Sequence, residues 1–401
     1  MLLTSGAVAD FVPDLDSLGP DAAWFDHPAL GLYSSAPWLR AHEALDDATA
    51  GYLRVSNPSG LSGAARLALP QQEANVAYRP HVMFPFHQEH PYALLGPRRG
   101  YRSQLPLAGS GSAAALLQAT AERAARDGRR WLYALHLTTK TADAISNDRA
   151  ALPLLAPLFD TVIPVQGQSM TEHLDSIGRN RRKRHRDRRK VAQLGLRFGR
   201  ERLADCIEEI LPLRQQTFRR HGSQRSPEDL LRELELMSSH FADYETLFTV
   251  RDPGNRRLLG YALVYQWGGW LWARSLGLVE ELRTNSTPVI FELEFHLPLD
   301  LCFERGLRFY HLGPSNYASK LARGAVVRPL WQVALLEGED VFPIDGLARW
   351  THHVLTRLQA DCRPHTLPPD LVVGILQQAM AYGRAHFGDD CVDRAIAQGQ
   401  G

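Results

Sequence analysis

The chain has 401 residues, 44% of them hydrophobic and 22% charged, with a formal net charge of +1. That is enough apolar material for two or more packed domains, and it excludes collagen-like, coiled-coil and wholly disordered chains. No apolar run approaches the roughly 18 residues of a membrane helix, and the opening MLLTSGAVADFVPDLD lacks the basic region of a secretory signal, so a chain without a membrane span is expected. Cys206, Cys302, Cys362 and Cys391 stand far apart with no metal-like spacing, which reads as free thiols in a reducing cytoplasm.

In chain order, GLYSSAPWLRAHEAL predicts a helix over about residues 36–46, since Trp38, Leu39, His42 and Leu45 recur at helical spacing. GYLRVSNPSGLSGAARLALP gives two strands around a Gly/Ser/Asn/Pro turn. SAAALLQATAERAARDGRR is a helix and WLYALHL a buried strand. This first α/β half closes near residue 165, and the same order then recurs. TEHLDSIGRNRRKRHRDRRKVAQLG reads as one long helix with Thr171 as its N-cap and Gly195 as its stop. Two further helices precede an antiparallel meander in TLFTVRDPGNRRLLGYALVYQWGGWLWARSLGLV. Ser286-Thr287-Pro288 opens a helix that runs to Gly306, RFYHLG is a strand, and the chain from about 341 is mainly helical. The expected architecture is α/β: domains at 1–165 and 166–340, each a mixed sheet flanked by helices, and a helical tail at 341–401.

The strongest local signal is Arg179 to Lys190, with nine Lys/Arg against one Asp. At helical spacing Arg181, Arg184 and Arg188 share a face, and Leu174 and Ile177 continue that line toward the core. A solvated helix face is the bland reading of such a run. The functional one is a polyanion, because clustered like charges repel until phosphates relieve them and guanidinium forks match phosphate. The run alone does not separate tRNA, coenzyme A, DNA or anionic lipid.

A second signal is the loop in FYHLGPSNYASKLARGAVVRPLW. It carries Asn316, Tyr317, Lys320, Arg323 and Gly324, and Lys320 is one of only four lysines among 45 basic side chains. A compact ammonium kept where arginine is the default suits a developing oxyanion, whereas the bland reading is a surface lysine. His81, His87, Glu89 and His90 lack the helix that a zinc motif needs, so no metal is expected. GPRRGYRSQ offers Arg98 and Arg99 to an anion, or is a plain loop. Trp267, Trp270 and Trp272 alternate as a half-buried strand does. No GxGxxG, P-loop, GxSxG or kinase signature is present.

SMTEHLDSIGRNRRKRHRDRRKVAQLGL resembles the helix that opens the second domain of FemAB-like proteins. The stretch from LGYALVYQWGGWLW through FELEFHLPLDLCFERGLRFYHLGPSNYASKLARG resembles their closing part, and LYSSAPWLRAHEAL their entry helix. The resemblance covers most of residues 30–340. It implies two tandem GNAT-like domains and transfer of an acyl or aminoacyl group to an amine, without metal or redox cofactor. The donor implied is aminoacyl-tRNA and the acceptor an amine of a small metabolite or cell-wall precursor, with no DNA partner. The family's loop lysine falls on Lys320, as oxyanion stabiliser. Arg323 would clamp a phosphate or carboxylate, and Arg181, Arg184 and Arg188, with Arg179 and Arg182, would hold the donor's phosphates. Tyr317, Asn316, Glu292, His311 and Arg283 are candidate pocket residues, with Glu292 and His311 considered as bases. Of the coenzyme A loop only Arg283 and the Ser286–Pro288 helix start survive; without its glycines a backbone cannot wrap a pyrophosphate closely. The coiled-coil arm that some Fem ligases insert in the second domain is missing as well, residues 200–240 reading as short helices. An acyl-CoA-dependent N-acyltransferase and a catalytically inactive anion-binding module are the alternatives.

Overall fold

The computed structural model describes residues 7–45, 49–58, 60–70, 73, 76–84, 91–146, 151–177, 181–220, 222, 225–283, 288–336 and 344–388. Its strands are β1 (Val8–Val12), β2 (Thr49–Asn57), β3 (Gly60–Leu69), β4 (Tyr92–Leu95), β5 (Trp131–Leu137), β6 (Ala151–Leu155) and β7 (Asp160–Pro164). There follow β8 (Arg197–Glu201), β9 (Glu245–Arg251), β10 (Leu258–Trp267), β11 (Trp270–Leu278), β12 (Phe309–His311), β13 (Val326–Arg328) and β14 (Trp331–Leu336). They form two seven-stranded mixed sheets, in the orders β1-β2-β3-β4-β5-β14-β6 and β8-β9-β10-β11-β12-β7-β13.

The two sheets repeat one plan. Each begins with antiparallel strands; β2–β3, β9–β10 and β10–β11 are joined by short turns, which reverse the chain, and the other pairs by longer connections. Each then makes one parallel step, β4 to β5 and β11 to β12, and a parallel step needs a helical crossover. The helix Ser110–Arg126 supplies the first; the helical run Val289–Glu304 supplies the second. Each sheet finally takes its sixth position from a strand distant in sequence, β14 between β5 and β6, and β7 between β12 and β13.

That last feature corrects the expected domain limits. The chain forms two compact units, one of residues 1–160, 314–318 and 328–401, the other of residues 161–313 and 319–327. β14, expected in the second half, is a central strand of the first unit; Trp331, Gln332 and Val333 are wholly buried there and Gln332 Nε2 donates to the Met83 carbonyl at 2.7 Å. The helices Ile344–Asp361 and Pro369–Phe387 belong to this unit too. Trp350 Nε1 donates to the Leu155 carbonyl (2.7 Å), Tyr382 packs edge-on against Trp331 (4.8 Å between centroids), and Asp143 accepts from Tyr382 Oη (2.8 Å) and Gln378 Nε2 (2.7 Å). Their apolar faces bury Val354, Leu358, Ile375, Ala379 and Tyr382, as an amphipathic helix on a sheet must.

The long helix expected from Thr171 is two helices, Met170–Ser176 and Arg181–Gln193. The intervening sequence contains Gly178, a weak helix former. The first helix is capped by Ser169, not Thr171: Ser169 Oγ accepts from the Glu172 amide at 3.3 Å, with Glu172 three residues on as in a capping box. Gly195, at φ +64°, follows the second helix as expected. Residues 200–240 hold helices Leu203–Arg220 and Pro227–His240, of 18 and 14 residues. Cys206, Cys302 and Cys362 are buried free thiols, and Cys391 lies outside the described residues. Among these residues no helix is long and apolar enough to cross a membrane.

If the terminal helices complete the first unit, a chain ending at residue 343 is expected to aggregate or to bind the dye ANS, while the single change Tyr382→Phe is expected to cost about 1 kcal/mol through its lost hydrogen bond. Denaturant unfolding of the three proteins checks both.

Candidate active site

β11 and β12 pair over only three residues, Trp270–Trp272 against Phe309–His311. β11 continues to Leu278, but beyond His311 the other chain turns away: the Leu312 amide bonds the Thr161 carbonyl at 2.8 Å, and Gly313, at φ +66°, accepts from Thr161 Oγ1. The sheet of the second unit therefore splits after its parallel pair. Opposite the split, β10 and β11 change register between Leu263 and Val264, which pair with Ser275 and Ala273, so that Arg274 is the extra residue of a bulge.

Lys320 closes the β12 side of this split. It lies on the short helix Tyr317–Leu321, is 2% exposed, and its ammonium donates to the carbonyls of Leu312 and Gly313 at 2.9 Å each. Two charge-assisted bonds to backbone fix the cation at the end of a core strand. The turn after it is equally constrained. The Arg323 and Ala325 amides return to the Lys320 carbonyl at 2.9 and 3.1 Å. Gly324 adopts φ +83°, and a Cβ there would stand 2.6 Å from Ile177 Cγ2. Only glycine meets both conditions.

Arg323 packs as a cation on aromatic faces, 3.6 Å from the Phe291 centroid and 4.7 Å from that of Phe295, with Nη1 donating to the Ser319 carbonyl at 2.7 Å. Burial pulls its pKa down against the opposing pull of Glu294 and Asp187. Phe291 precedes a π-helical turn, Glu292–His296, within the crossover helix, and Phe295 lies inside it. Pro298 accounts for the turn: lacking an N–H, it cannot bond the Glu294 carbonyl, and that carbonyl is satisfied by Tyr310 Oη at 2.7 Å. The Glu294 carboxyl is raised by burial, with Lys320 and Arg323 pulling the other way. Lys320, Arg323 and Glu294 are thus brought into one electrostatic neighbourhood. Glu294 was not singled out in sequence; its signal is an acidic residue spaced between Phe291 and Phe295 just before a helix proline.

The remaining predicted residues fall elsewhere. Arg188 forms an ion pair with Glu292 at 3.0 Å and another with Asp300, and burial raises the Glu292 carboxyl although Arg188 opposes it. Each is thus the other's partner. His311 is fully buried on β12, its ring 4.5 Å from Trp272. Arg283 Nε donates to the Leu278 carbonyl at 3.1 Å. Tyr317 belongs to the first unit, its hydroxyl accepting from the Phe159 amide at 3.1 Å and donating to the Phe159 carbonyl at 3.3 Å; Asn316 there has φ +51°. The side chains of Arg181, Arg182 and Arg184 lie outside the described set although their backbone is helical, and Arg179, Ser286 and Thr287 lie outside it altogether. The side chain of His81 and all of His87, Glu89 and His90 are likewise outside; among the described residues no cluster suits a metal ion. Arg98 is buried against Glu73 at 2.7 Å, and Arg99 Nη2 donates to the Leu45 carbonyl at 3.3 Å. Neither is a donor set aside for an anion.

No protein-family model matches the sequence, and no curated protein matches it. Solved structures do match. FemX superposes with a TM-score of 0.57 at 13% identity, over 79% of this chain and 94% of FemX. A conserved protein of unknown function from Bacteroides thetaiotaomicron gives 0.52 at 11% identity, over 82% of this chain and all of that one. A tandem GNAT protein from the clavulanic acid biosynthesis pathway gives 0.49 at 13% identity, over 83% of this chain and all of that one. The chain has the FemAB-like fold, as the sequence resemblance implied.

The constraint on the lysine turn is open to test. Gly324→Ala is expected to destabilise the protein by about 1–3 kcal/mol, from a strained backbone plus a clash with Ile177, whereas Gly254→Ala in an exposed turn is expected to change little; paired denaturant titrations check the difference.

Proposed function

We propose that the protein is an amide-forming acyltransferase that takes an aminoacyl group from aminoacyl-tRNA and gives it to an amine of a small molecule. The observation that carries this reading is Lys320, a buried ammonium held by the Leu312 and Gly313 carbonyls where the second sheet opens. The FemAB-like fold supports the reaction class, and the absence of the coenzyme A loop glycines favours an ester donor over a thioester of coenzyme A.

In this reaction the amine nitrogen attacks the ester carbonyl carbon. The carbonyl oxygen becomes an oxyanion, which Lys320 stabilises as a fixed positive charge in a site of low dielectric. The intermediate collapses by breaking the bond to the 3′ oxygen of the tRNA, leaving an amide and a free hydroxyl. The proton lost by the amine passes to Glu294 and from there to the leaving oxygen. Burial favours the neutral form of Glu294 and so makes it a better base once ionised than an exposed carboxylate. The Lys320 and Arg323 cations oppose that rise. Arg323, stacked between Phe291 and Phe295, positions the π turn that bears Glu294.

The decisive experiment is discharge of a fully charged tRNA pool in the presence of the protein and a small-amine extract. Loss of the ester from one tRNA species, abolished by ribonuclease, supports the reading; consumption of acyl-CoA with no discharge overturns it. Binding to tRNA is expected to weaken steeply with salt as counterions are released. Lys320→Ala is expected to lower the rate by about 100-fold or more with the fold retained. The pH profile gives a further check. The reaction needs ionised Glu294, whose folded pKa lies above the ordinary carboxylate value, so the rate should fall as pH drops through that raised value. Glu294→Gln is expected to lower the rate and to remove that limb, and a profile unchanged in shape would dismiss Glu294 as the base.

A further inference from the structure

The second unit also holds a buried basic cluster, which takes one of its arginines from β11. Glu233, on the helix Pro227–His240, is wholly buried. One of its carboxylate oxygens accepts from Arg214 (2.7 Å) and Arg274 (2.8 Å), the other from Arg225. The three arginine side chains are only 3%, 13% and 14% exposed respectively. Burial alone would push the Glu233 carboxyl up; the arginines overrule it and hold it well below the ordinary range. Three guanidinium groups so converge on a single carboxylate.

Around them are buried polar atoms without a protein partner. Arg214 Nη1 donates to Ser275 Oγ at 2.9 Å, which also bonds the Tyr261 hydroxyl at 2.8 Å, but Arg214 Nε has no acceptor. The hydroxyl of Tyr265, four residues along β10 on the same face as Tyr261, is wholly buried and has no partner either. It lies in the field of Arg274, Glu245, Arg214 and Glu233. Glu245 pairs with Tyr265 across β9 and β10; it gives one oxygen to the Leu203 amide at 2.9 Å, and its other, buried oxygen has no donor. Native interiors leave few such groups, and each calls for an explanation.

The position of the cluster is the second argument. The last parallel pair is Trp272 with His311; Arg274 lies two residues further along β11, and Gly313, whose carbonyl holds Lys320, two residues further along the chain that leaves β12. The bulge re-aims Arg274, and from the same stretch Ser275 joins it in the cluster. The arginine cluster and the lysine are thus tied to the two chains, β11 and β12, that part after the last parallel pair.

We propose that this cluster binds a carboxylate, that of an α-amino acid or the side-chain carboxylate of an acidic aminoacyl group, held by Arg274, Arg214 and the Tyr265 hydroxyl. Two buried donors without acceptors match a two-oxygen anion, and guanidinium forks match its plane. The free oxygen of Glu245 suits the amine that accompanies such a carboxylate, while Glu233 and Glu245 together repel a dianion such as phosphate. That this carboxylate belongs to the transfer substrate rests on the function proposed above; the anion site itself does not.

Calorimetry with each free amino acid against its own amide, at constant ionic strength, tests the site without any turnover. At least one amino acid is expected to bind the full-length protein at least tenfold more tightly than its amide. Arg274→Gln and Tyr265→Phe are each expected to weaken that binding at least tenfold, and Arg200→Gln, on the exposed pair with Glu304, to leave it unchanged. Tyr265→Phe removes one unpartnered hydroxyl, so it carries the test alone should Arg274→Gln fail to fold. Lys320→Ala is expected to keep the binding while losing transfer, which separates failure of the site from failure of the reaction. No preference for any acid over its amide, or wild-type affinity in the folded Arg274 and Tyr265 variants, overturns the proposal. In the transfer assay, discrimination among acceptors with and without a carboxylate places the site on the acceptor; discrimination among acidic and neutral aminoacyl donors places it on the donor. Discrimination in neither arm overturns its assignment to the substrate.

Discussion

The separation of two parallel strands after three paired residues is the constraint on which the arrangement of the second unit's candidate site depends. A strand that leaves its neighbour exposes backbone groups, and these must be satisfied or paid for. Here the leaving chain bonds Thr161 on one side, and the carbonyls of Leu312 and Gly313 are taken by the Lys320 ammonium. The lysine thus has a structural task, and the proposed chemical one falls on the same atoms. It ties off the strand end, and in doing so it is fixed as a positive charge beside an opening in the sheet. An arginine would not serve, since its planar fork cannot place one compact charge on two adjacent carbonyls of a turn. This gives a physical reason for a lysine in a chain whose basic residues are almost all arginine.

The crossover helix answers the same constraint from the other direction. A parallel pair requires a helix between its strands, and this helix contains a proline at position 298. The proline frees the Glu294 carbonyl, the π turn accommodates it, and Tyr310 on the neighbouring strand satisfies it. The helix gains a wider turn in which Glu294, Phe291 and Phe295 face the region of Lys320 and Arg323. Fold topology, a helix defect and a carboxyl with a raised pKa are consequences of one another.

Local pattern carried much of this into the sequence. The alternation of strands and helices, repeated in two halves, gave the α/β class, and the Lys-x-x-Arg-Gly loop located the lysine turn. What was hidden depends on distant pairing. β14 reads as any buried strand, and nothing in WQVALL says that its neighbours are β5 and β6. Arg188 reads as one more member of a basic run, while its partners Glu292 and Asp300 are more than a hundred residues away. Likewise Arg214, Arg225, Glu233 and Arg274 sit on separate elements, and each alone is an ordinary charged residue. The Ser169 cap is legible as the Ser-x-x-Glu of a capping box, with Thr171 two residues on as a competing N-cap by residue type.

Charge balance then separates two kinds of arginine in one chain. Arg98 and Arg188 are each matched by carboxylates, one by Glu73 and the other by Glu292 and Asp300, and such pairs settle which elements pack together. The arginines around Glu233 instead share one carboxylate, both of whose oxygens are taken. In the same region the Arg214 Nε and the Tyr265 hydroxyl are buried donors with no acceptor. A donor left so costs free energy. Such donors beside a fully bonded carboxylate are the arrangement expected where the acceptor arrives with a ligand.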